Sequence, residues 1–196
     1  MLLTLREVKS KTEKFFSEKG IPNGKLDTDL LLSHALKIKR LDLYLDLDRP
    51  ISEKELNQMR DMVRRRAMRE PLQYILGETV FFNCSLRVDK RALIPRPETE
   101  LLVEQILPKA QGAERVLELG TGSGAIVLAL VKAGVSAEIT AIDLDPEALA
   151  LAQSNADSLG LSEQITFLES DWLSNVPAEK QFDLIISNPP YLTQAM

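Results

Sequence analysis

The sequence predicts an α/β protein in which a doubly wound parallel sheet follows a small all-helical domain. Three observations lead to this prediction. Every periodic segment before about residue 71 repeats its apolar residues at helical spacing. From residue 114 onward, short apolar runs alternate with helical segments, which is typical of parallel strands joined by crossover helices. A glycine-rich turn lies where the first of these strands passes into a helix.

Residues 1–70 are predicted to form a small helical domain. Two capping-box pairs, Thr4 with Glu7 and Ser52 with Glu55, mark the starts of its first and third helices. In such a pair, each residue's side chain accepts a hydrogen bond from the other's backbone amide. Both helices are therefore expected to begin directly after the capping residue.

The second helix of this region contains the leucine-rich run 30–36, and Asp27 or Asp29 is expected to cap it. A basic stretch, Arg64 to Arg66, lies in the third helix. Most charge runs of this kind are solvated helix faces, so we expect these arginines to face water.

Residues 71–95 are predicted to be a linker that contains a β-hairpin. Its strands are expected over 80–82 and 85–88, on either side of Asn83 and Cys84. A stiff connector over 93–100 is expected next, because proline holds the residue before it in extended backbone.

A helix through 101–106 should follow and end at Pro108. Residues 96–196 are predicted to form an α/β domain. Four parallel strands are expected, over 116–119, 137–142, 165–168 and 182–186. Asp145 and Pro146 should start the helix that follows the second strand.

Composition excludes several classes of protein. The chain has 196 residues, 44% of them hydrophobic and 27% charged, with a net charge of −5 and a single cysteine. These values exclude wholesale disorder and a disulfide framework. We expect a cytoplasmic protein without a membrane span. The negative charge also argues against direct nucleic-acid binding.

The glycine-rich turn is the most informative segment for function. Its five residues are Gly120, Thr121, Gly122, Ser123 and Gly124. The carboxyl ends of parallel strands are where open α/β sheets bind ligands, and glycine lets the backbone approach them closely. Asp143 ends the next strand, where a carboxylate can accept both hydroxyls of a ribose. The pattern fits either a dinucleotide or S-adenosylmethionine, with Glu118 near the methionine ammonium in the second case.

The fourth strand ends at the sequence Asn188-Pro189-Pro190-Tyr191. Two prolines would suffice to end a strand, but Asn188 and Tyr191 are not needed for that. A planar amide or amine nitrogen has a delocalised lone pair, and two acceptors on its N–H groups can orient it for methylation. The Asn188 Oδ1 and the Pro189 carbonyl oxygen are suited to that role, and the Tyr191 ring can stack on a planar group. Together the two motifs favour methyl transfer over hydride transfer.

Several motifs in series resemble one family. Residues 71–77, 94–100, 118–124 and 188–191 occur in the order found in the release-factor glutamine methyltransferases, the HemK/PrmC family. The resemblance implies that residues 96–196 form the N-terminal part of an S-adenosylmethionine-dependent, Rossmann-like methyltransferase domain. It also implies that residues 1–70 are a substrate-binding domain that contacts the protein substrate. It also implies a bacterial class-1 peptide release factor as partner and the glutamine of its Gly-Gly-Gln motif as methyl acceptor.

The resemblance assigns roles to individual residues. Those implied to hold the cofactor are Gly120, Thr121, Gly122, Ser123, Gly124, Asp143, Trp172 and Asn188. For Trp172, which would lie beside the adenine, ordinary core packing is the alternative. The implied substrate pocket consists of Asn188, Pro189, Pro190 and Tyr191, of which Asn188, Pro189 and Tyr191 are the implied catalytic residues. No metal site is expected.

The chain departs from the family in one respect, since it ends five residues after Tyr191. The family's sheet has seven strands, so we expect a C-terminally truncated chain whose fourth strand forms an exposed sheet edge. Two alternatives stay open: an adenine-amine methyltransferase acting on DNA or RNA, and an inactive cofactor-binding fragment.

Overall fold

A computed structural model describes residues 3–189 and divides the chain into two compact units, Met1–Leu76 and Gly77–Met196. The first unit is helical. Its elements are α1 (Leu5–Glu18), α2 (Gly24–Leu36), a 3₁₀ helix (Arg40–Tyr44), α3 (Glu53–Ala67) and α4 (Leu72–Leu76). Its core is built from the apolar stripes of these helices, with Leu5, Phe16, Leu31 and Leu32 almost fully buried.

Both predicted capping boxes are confirmed. Thr4 and Ser52 each accept a hydrogen bond from the backbone of the glutamate three residues on, and each glutamate accepts one in return. Each pair satisfies amides at the helix start that have no partner within the helix.

The predicted caps of α2 are wrong. The helix begins at Gly24, so Asp27 and Asp29 lie inside it, and both are buried. Asp27 binds the Arg66 guanidinium at 2.7 Å, and Asp29 binds Lys9 and accepts a hydrogen bond from the Tyr44 hydroxyl at 2.6 Å. A buried carboxylate without a partner would be costly, and these distant groups offset that cost.

The prediction for the basic stretch holds only in part. Arg64 is exposed, with an ion pair to Asp61. Arg65 instead makes two hydrogen bonds to the Glu70 carboxylate, at 2.7 and 2.9 Å. Arg66 is largely buried against Asp27. Two of the three arginines therefore hold the helical unit together.

The second unit begins with a hairpin of β1 (Glu78–Phe81) and β2 (Cys84–Arg87). The hairpin was predicted, but the turn lies one residue earlier than expected, at Phe82 and Asn83. Both residues have positive φ, 44° and 63°. Two consecutive left-handed residues form the turn that matches the twist of paired strands, and asparagine tolerates it well.

Helix α5 (Pro97–Gln111) is longer at both ends than the sequence predicts. The predicted stiff connector extended to residue 100, but the helix already begins at Pro97. Proline is favoured there because the first helical residue needs no amide donor. Pro108 does not end the helix, which runs one more turn. Glu104, whose carbonyl would have been the partner of the missing amide, is exposed, so water can satisfy it.

The sheet of this unit is parallel, with strand order β5-β4-β3-β6. Its strands and helices are β3 (Arg115–Leu119), α6 (Ala125–Lys132), β4 (Glu138–Asp143), α7 (Pro146–Leu159), β5 (Ile165–Glu169) and β6 (Leu184–Ser187). The four predicted strands and the start of α7 after Asp145 are confirmed to within two residues. Strand β3 and helix α6 are almost wholly buried and form the centre of the core.

Among the described residues, β6 forms one edge of this sheet, and its Ile185 is 55% exposed. Across residues 3–189, no helix combines the length and apolar character needed to cross a membrane.

Candidate functional site

The carboxyl ends of the four parallel strands place the predicted site residues in spatial order. Leu119 of β3 pairs with Ile142 of β4 on one side and with Ser187 of β6 on the other. The turn after β3 therefore lies between Asp143 and Asn188. Since neighbouring strands are about 4.8 Å apart, these side chains start from points roughly 10 Å apart.

The glycine-rich turn requires glycine for two different reasons. Gly120, Gly122 and Gly124 all have positive φ, which strains other residues. A side chain on Gly124 would also lie 3.2 Å from both Ala152 and Leu128, so this position allows α6 and α7 to pack closely. At Gly120 a Cβ would meet no atom of residues 3–189 within 4 Å, so this part of the chain leaves open space beside it.

Most amides of the turn are already satisfied within the protein. The amides of Gly120 and Thr121 donate to the Ile142 carbonyl, and that of Gly124 donates to the Thr121 carbonyl. The Gly122 amide donates to Asp143 Oδ2 at 2.8 Å. A loop that cradles phosphates presents its amides outward, so this turn is poorly suited to a pyrophosphate.

Asp143 retains hydrogen-bonding capacity at the end of β4. Its Oδ2 accepts from Gly122, and its Oδ1 accepts from the Asp145 amide at 3.1 Å. An ionised carboxylate has about four acceptor sites. The two that remain can accept the two hydroxyls of a ribose while Asp143 still holds the turn.

Asn155 holds the glycine-rich turn in place through hydrogen bonds to the backbone. This fully buried residue of α7 donates through Nδ2 to the Ser123 carbonyl at 2.9 Å. It also exchanges hydrogen bonds with both the amide and the carbonyl of Arg87. One side chain thus fixes the turn to α7 and to the end of the hairpin, a role that sequence reasoning missed because its partners are remote.

Glu118 is a buried carboxyl directly below the turn. It is 2% exposed and accepts a hydrogen bond from the Thr121 hydroxyl at 2.5 Å. Burial raises the pKa of Glu118 to about 8, and the nearby negative charge of Asp143 acts in the same direction. The hydrogen bond from Thr121 opposes this shift only in part. The negative charge of Asp143 favours a cationic ligand, and a cationic group bound near Glu118 would in turn favour the ionised form of that carboxyl.

This pKa predicts how the stability of the folded protein depends on pH. The folded state keeps the Glu118 proton up to about pH 8, whereas an unfolded chain releases it near the ordinary value of 4.5. The folded state therefore binds more protons in this window, and stability falls as pH rises through it. We expect the free energy of unfolding to drop by on the order of a few kcal/mol relative to Glu118→Gln, which cannot ionise. Urea unfolding of both proteins between pH 5 and 9 measures this, and parallel profiles would contradict it.

Trp172 follows β5, the neighbour of β4, and therefore lies beyond Asp143 along the carboxyl ends of the strands. Its side chain is 62% exposed, so the alternative of core packing is wrong. Its φ of +49° is unusual for a residue other than glycine. The buried Ser170 stabilises this conformation by donating to the Trp172 carbonyl at 2.8 Å, while the Ser170 amide donates to the Asp143 carbonyl at 3.0 Å. Ser170 therefore connects the backbone at Asp143 to the backbone at Trp172 through two hydrogen bonds.

Leu144 is a second exposed apolar residue here, and the sequence analysis missed it. It directly follows Asp143 and is 66% exposed. The sequence did contain a signal for this residue, since an apolar side chain directly follows the acidic residue that ends the strand. Leu144 and Trp172 offer apolar surface of the kind that a planar base would cover.

Asn188 follows β6 and lies on the other side of the turn. Its Nδ2 donates to the Thr99 hydroxyl of α5 at 3.1 Å, and the Ser187 hydroxyl before it donates to the Leu119 carbonyl at 3.2 Å. Pro189 is described and exposed. Pro190 and Tyr191 lie outside the described residues, so their predicted roles stay predictions.

Comparisons with known proteins give the chain a family. Residues 7–77 match the model of the PrmC N-terminal domain, and residues 96–196 match the methyltransferase small domain. Among solved structures, the SAM-dependent methyltransferase from Agrobacterium tumefaciens is similar at 23% identity, over 58% of this chain and 39% of that one, with a TM-score of 0.49.

Curated relatives match over nearly the whole chain. The release factor glutamine methyltransferase of Chlorobaculum tepidum is 43% identical over 96% of this chain and 68% of its own length. That of Geobacter sulfurreducens is 42% identical over 98% of this chain and 66% of its own length. The chain thus spans about two thirds of the length of these relatives. The two domain matches agree with these relatives, which align with nearly all of this chain. The chain belongs to the release factor glutamine methyltransferase family.

Proposed function

We propose that this protein transfers a methyl group from S-adenosylmethionine to the side-chain amide nitrogen of the glutamine in the Gly-Gly-Gln motif of a bacterial peptide release factor. The observation that supports this most directly is the order of side chains along the carboxyl ends of the four parallel strands. Trp172, Asp143, the glycine turn and Asn188 follow β5, β4, β3 and β6, which are successive neighbours in the sheet. A nucleoside can lie along this edge with its reactive end towards Asn188.

The residues present fit this cofactor. Trp172 and Leu144 would cover the adenine, and Asp143 would accept the ribose hydroxyls. The open space beside Gly120 would admit the methionine portion, whose ammonium group would lower the pKa of Glu118 and pair with the ionised carboxylate. The occupied amides of the turn are an argument against a dinucleotide, because the pyrophosphate would find few donors.

When bound, S-adenosylmethionine supplies an electrophilic methyl group on a sulfonium sulfur, which keeps the electron pair of the broken C–S bond. Asn188 Oδ1 and the Pro189 carbonyl would accept the two N–H groups of the glutamine amide and hold its nitrogen in line with that methyl group. One N–H proton is lost to solvent as the new N–C bond forms. The protein contributes alignment, which can supply up to about 7–11 kcal/mol of barrier lowering.

A protein substrate fits this chain better than a nucleic acid. The chain has a net charge of −5, and the Asp143 carboxylate is hydrogen-bonded to the glycine turn. A polyphosphate backbone would be repelled unless a basic groove offset that charge. Two of the three arginines in the basic stretch are engaged within the helical unit.

A labelled-methyl assay tests the proposal. The protein is incubated with tritiated S-adenosylmethionine and a purified release factor, in parallel with a release factor whose Gly-Gly-Gln glutamine is changed to alanine. Label is expected only in the first. Absence of label from the intact factor, or equal label in both, would overturn the proposal. An adenine-containing DNA or RNA that accepts label instead would establish the adenine-amine alternative.

A further inference from the structure

Thr99 lies at a rigid point beside the reactive end of the site. It is the third residue of α5, and its amide donates to the Arg96 carbonyl at 2.9 Å. Farther along, Val103 and Ala110 of α5 are fully buried in the core. The next residue, Glu100, accepts a hydrogen bond from the Phe82 amide at 2.8 Å, which fixes the helix start to the hairpin turn. The Thr99 hydroxyl is therefore held in place by its surroundings.

Asn188 is far less constrained by its own position. It follows the last residue of β6 and is exposed. The terminal torsion of an asparagine side chain is broad and nearly two-fold, so an exposed carboxamide readily turns over. Within residues 3–189, the carboxamide makes one hydrogen bond, from Nδ2 to Thr99 Oγ1 at 3.1 Å.

A threonine hydroxyl can bond either end of a carboxamide, so the bond to Thr99 fixes where the Asn188 carboxamide lies, and the N–H donors of the substrate select the orientation that presents Oδ1. Because Nδ2 donates to Thr99, Oδ1 is left as an acceptor on the other side of the carboxamide. A glutamine amide nitrogen presents N–H donors, so it needs an acceptor there. A carboxamide turned over would present its own donors to the substrate's donors.

We propose that Thr99 is a positioning residue that holds the Asn188 carboxamide beside the acceptor amide, where Oδ1 is available to that amide's N–H groups. This inference rests on the proposed function, because it assigns Asn188 the task of orienting a glutamine nitrogen. It adds a residue from a distant segment, 89 positions earlier in the chain, to the alignment of that nitrogen.

Thr99→Val tests the inference because it removes the hydroxyl and keeps the shape of the side chain. We expect kcat for methyl transfer to fall about 10- to 100-fold, as a misaligned acceptor would cause. The Kd for S-adenosylmethionine should change less than about twofold, since Thr99 faces Asn188 and not Asp143. Thr99→Ser, which keeps the hydroxyl, should restore most of the activity. Thr79→Val, the same change at another half-buried position of this unit, should leave kcat as in the wild type.

A double-variant measurement separates positioning from a general structural effect. If Thr99 acts through Asn188, then Thr99→Val added to Asn188→Ala causes no further loss of kcat. A structural role would reduce kcat by the same factor in both backgrounds. If Thr99→Val melts at a lower temperature than Thr79→Val, the double-variant measurement is repeated with Thr99→Ala. This variant also removes the hydroxyl but leaves a smaller side chain.

The outcomes distinguish this inference from the proposed function. A wild-type protein that labels no glutamine rejects the proposed function. A wild-type protein that labels glutamine while Thr99→Val matches Thr79→Val rejects the role of Thr99 alone.

Discussion

Replacing Asn188 with alanine is expected to abolish methyl transfer, with a fall in kcat of about 100-fold or more. The variant lacks the carboxamide oxygen that would orient the acceptor nitrogen, and misplacement by about 1 Å at a reacting centre can cost 100-fold. Cofactor affinity should be preserved in part, because Asp143 and the glycine turn would hold other parts of the cofactor. Single-turnover transfer of labelled methyl to a release factor measures the first effect, and calorimetric titration of S-adenosylmethionine measures the second.

Ser187→Ala is the matched control for this prediction. Ser187 directly precedes Asn188 and donates to the Leu119 carbonyl at 3.2 Å, but its hydroxyl is engaged with the strand and not with the site. Its loss should leave kcat within about threefold of the wild type, since an exposed hydrogen bond contributes only about 0.5–1.5 kcal/mol. If both variants lose activity equally, the effect comes from distortion of the end of β6, and Asn188 has no special role.

The fold could be predicted largely from the sequence because burial and periodicity are local signals. The run of apolar residues in β3 and α6 has the continuous character expected of elements buried on every side, and both elements are almost wholly buried. The capping boxes were equally readable, since both partners lie within four residues of each other.

The errors come from partners that are distant in sequence. Asp27 and Asp29 have the residue type of a helix cap, and nothing near them indicates otherwise. Their partners are Arg66, 39 residues away, and Lys9, 20 residues away. An ion pair of this kind exists only once the helices are packed, so a local pattern cannot predict it.

The same distinction applies to the candidate site. The glycine turn and Asp143 could be found because strand ends and glycines leave a local signature. The contact of Thr99 with Asn188 and the hydrogen bonds of Asn155 join segments that only the folded chain brings together. The groups proposed to recognise a ligand therefore have a local sequence signature, whereas the groups that hold them in place do not.

Replacing Asp143 with asparagine is expected to weaken binding of S-adenosylmethionine about 100-fold or more. In the folded protein this carboxylate already accepts hydrogen bonds from Gly122 and Asp145, and its two remaining acceptor sites would take the ribose hydroxyls. A neutral amide has one oxygen in place of two, and its NH₂ group would face a donor. Each hydrogen bond to a charged group contributes about 1.5–3 kcal/mol. Losing two therefore corresponds to at least two orders of magnitude in Kd.

Asp145→Asn separates recognition from the general loss of negative charge. Asp145 lies two residues farther on, and its side chain caps α7 by accepting from the Glu147 amide at 2.9 Å, a role that asparagine can keep. Its Kd should stay within about threefold of the wild type. If the two variants weaken the cofactor equally, the site attracts a cation through its overall charge, and no ribose is held at the end of β4. If only Asp143→Asn weakens it, the carboxylate reads the sugar directly, as its free acceptor sites and its place beside the glycine turn indicate.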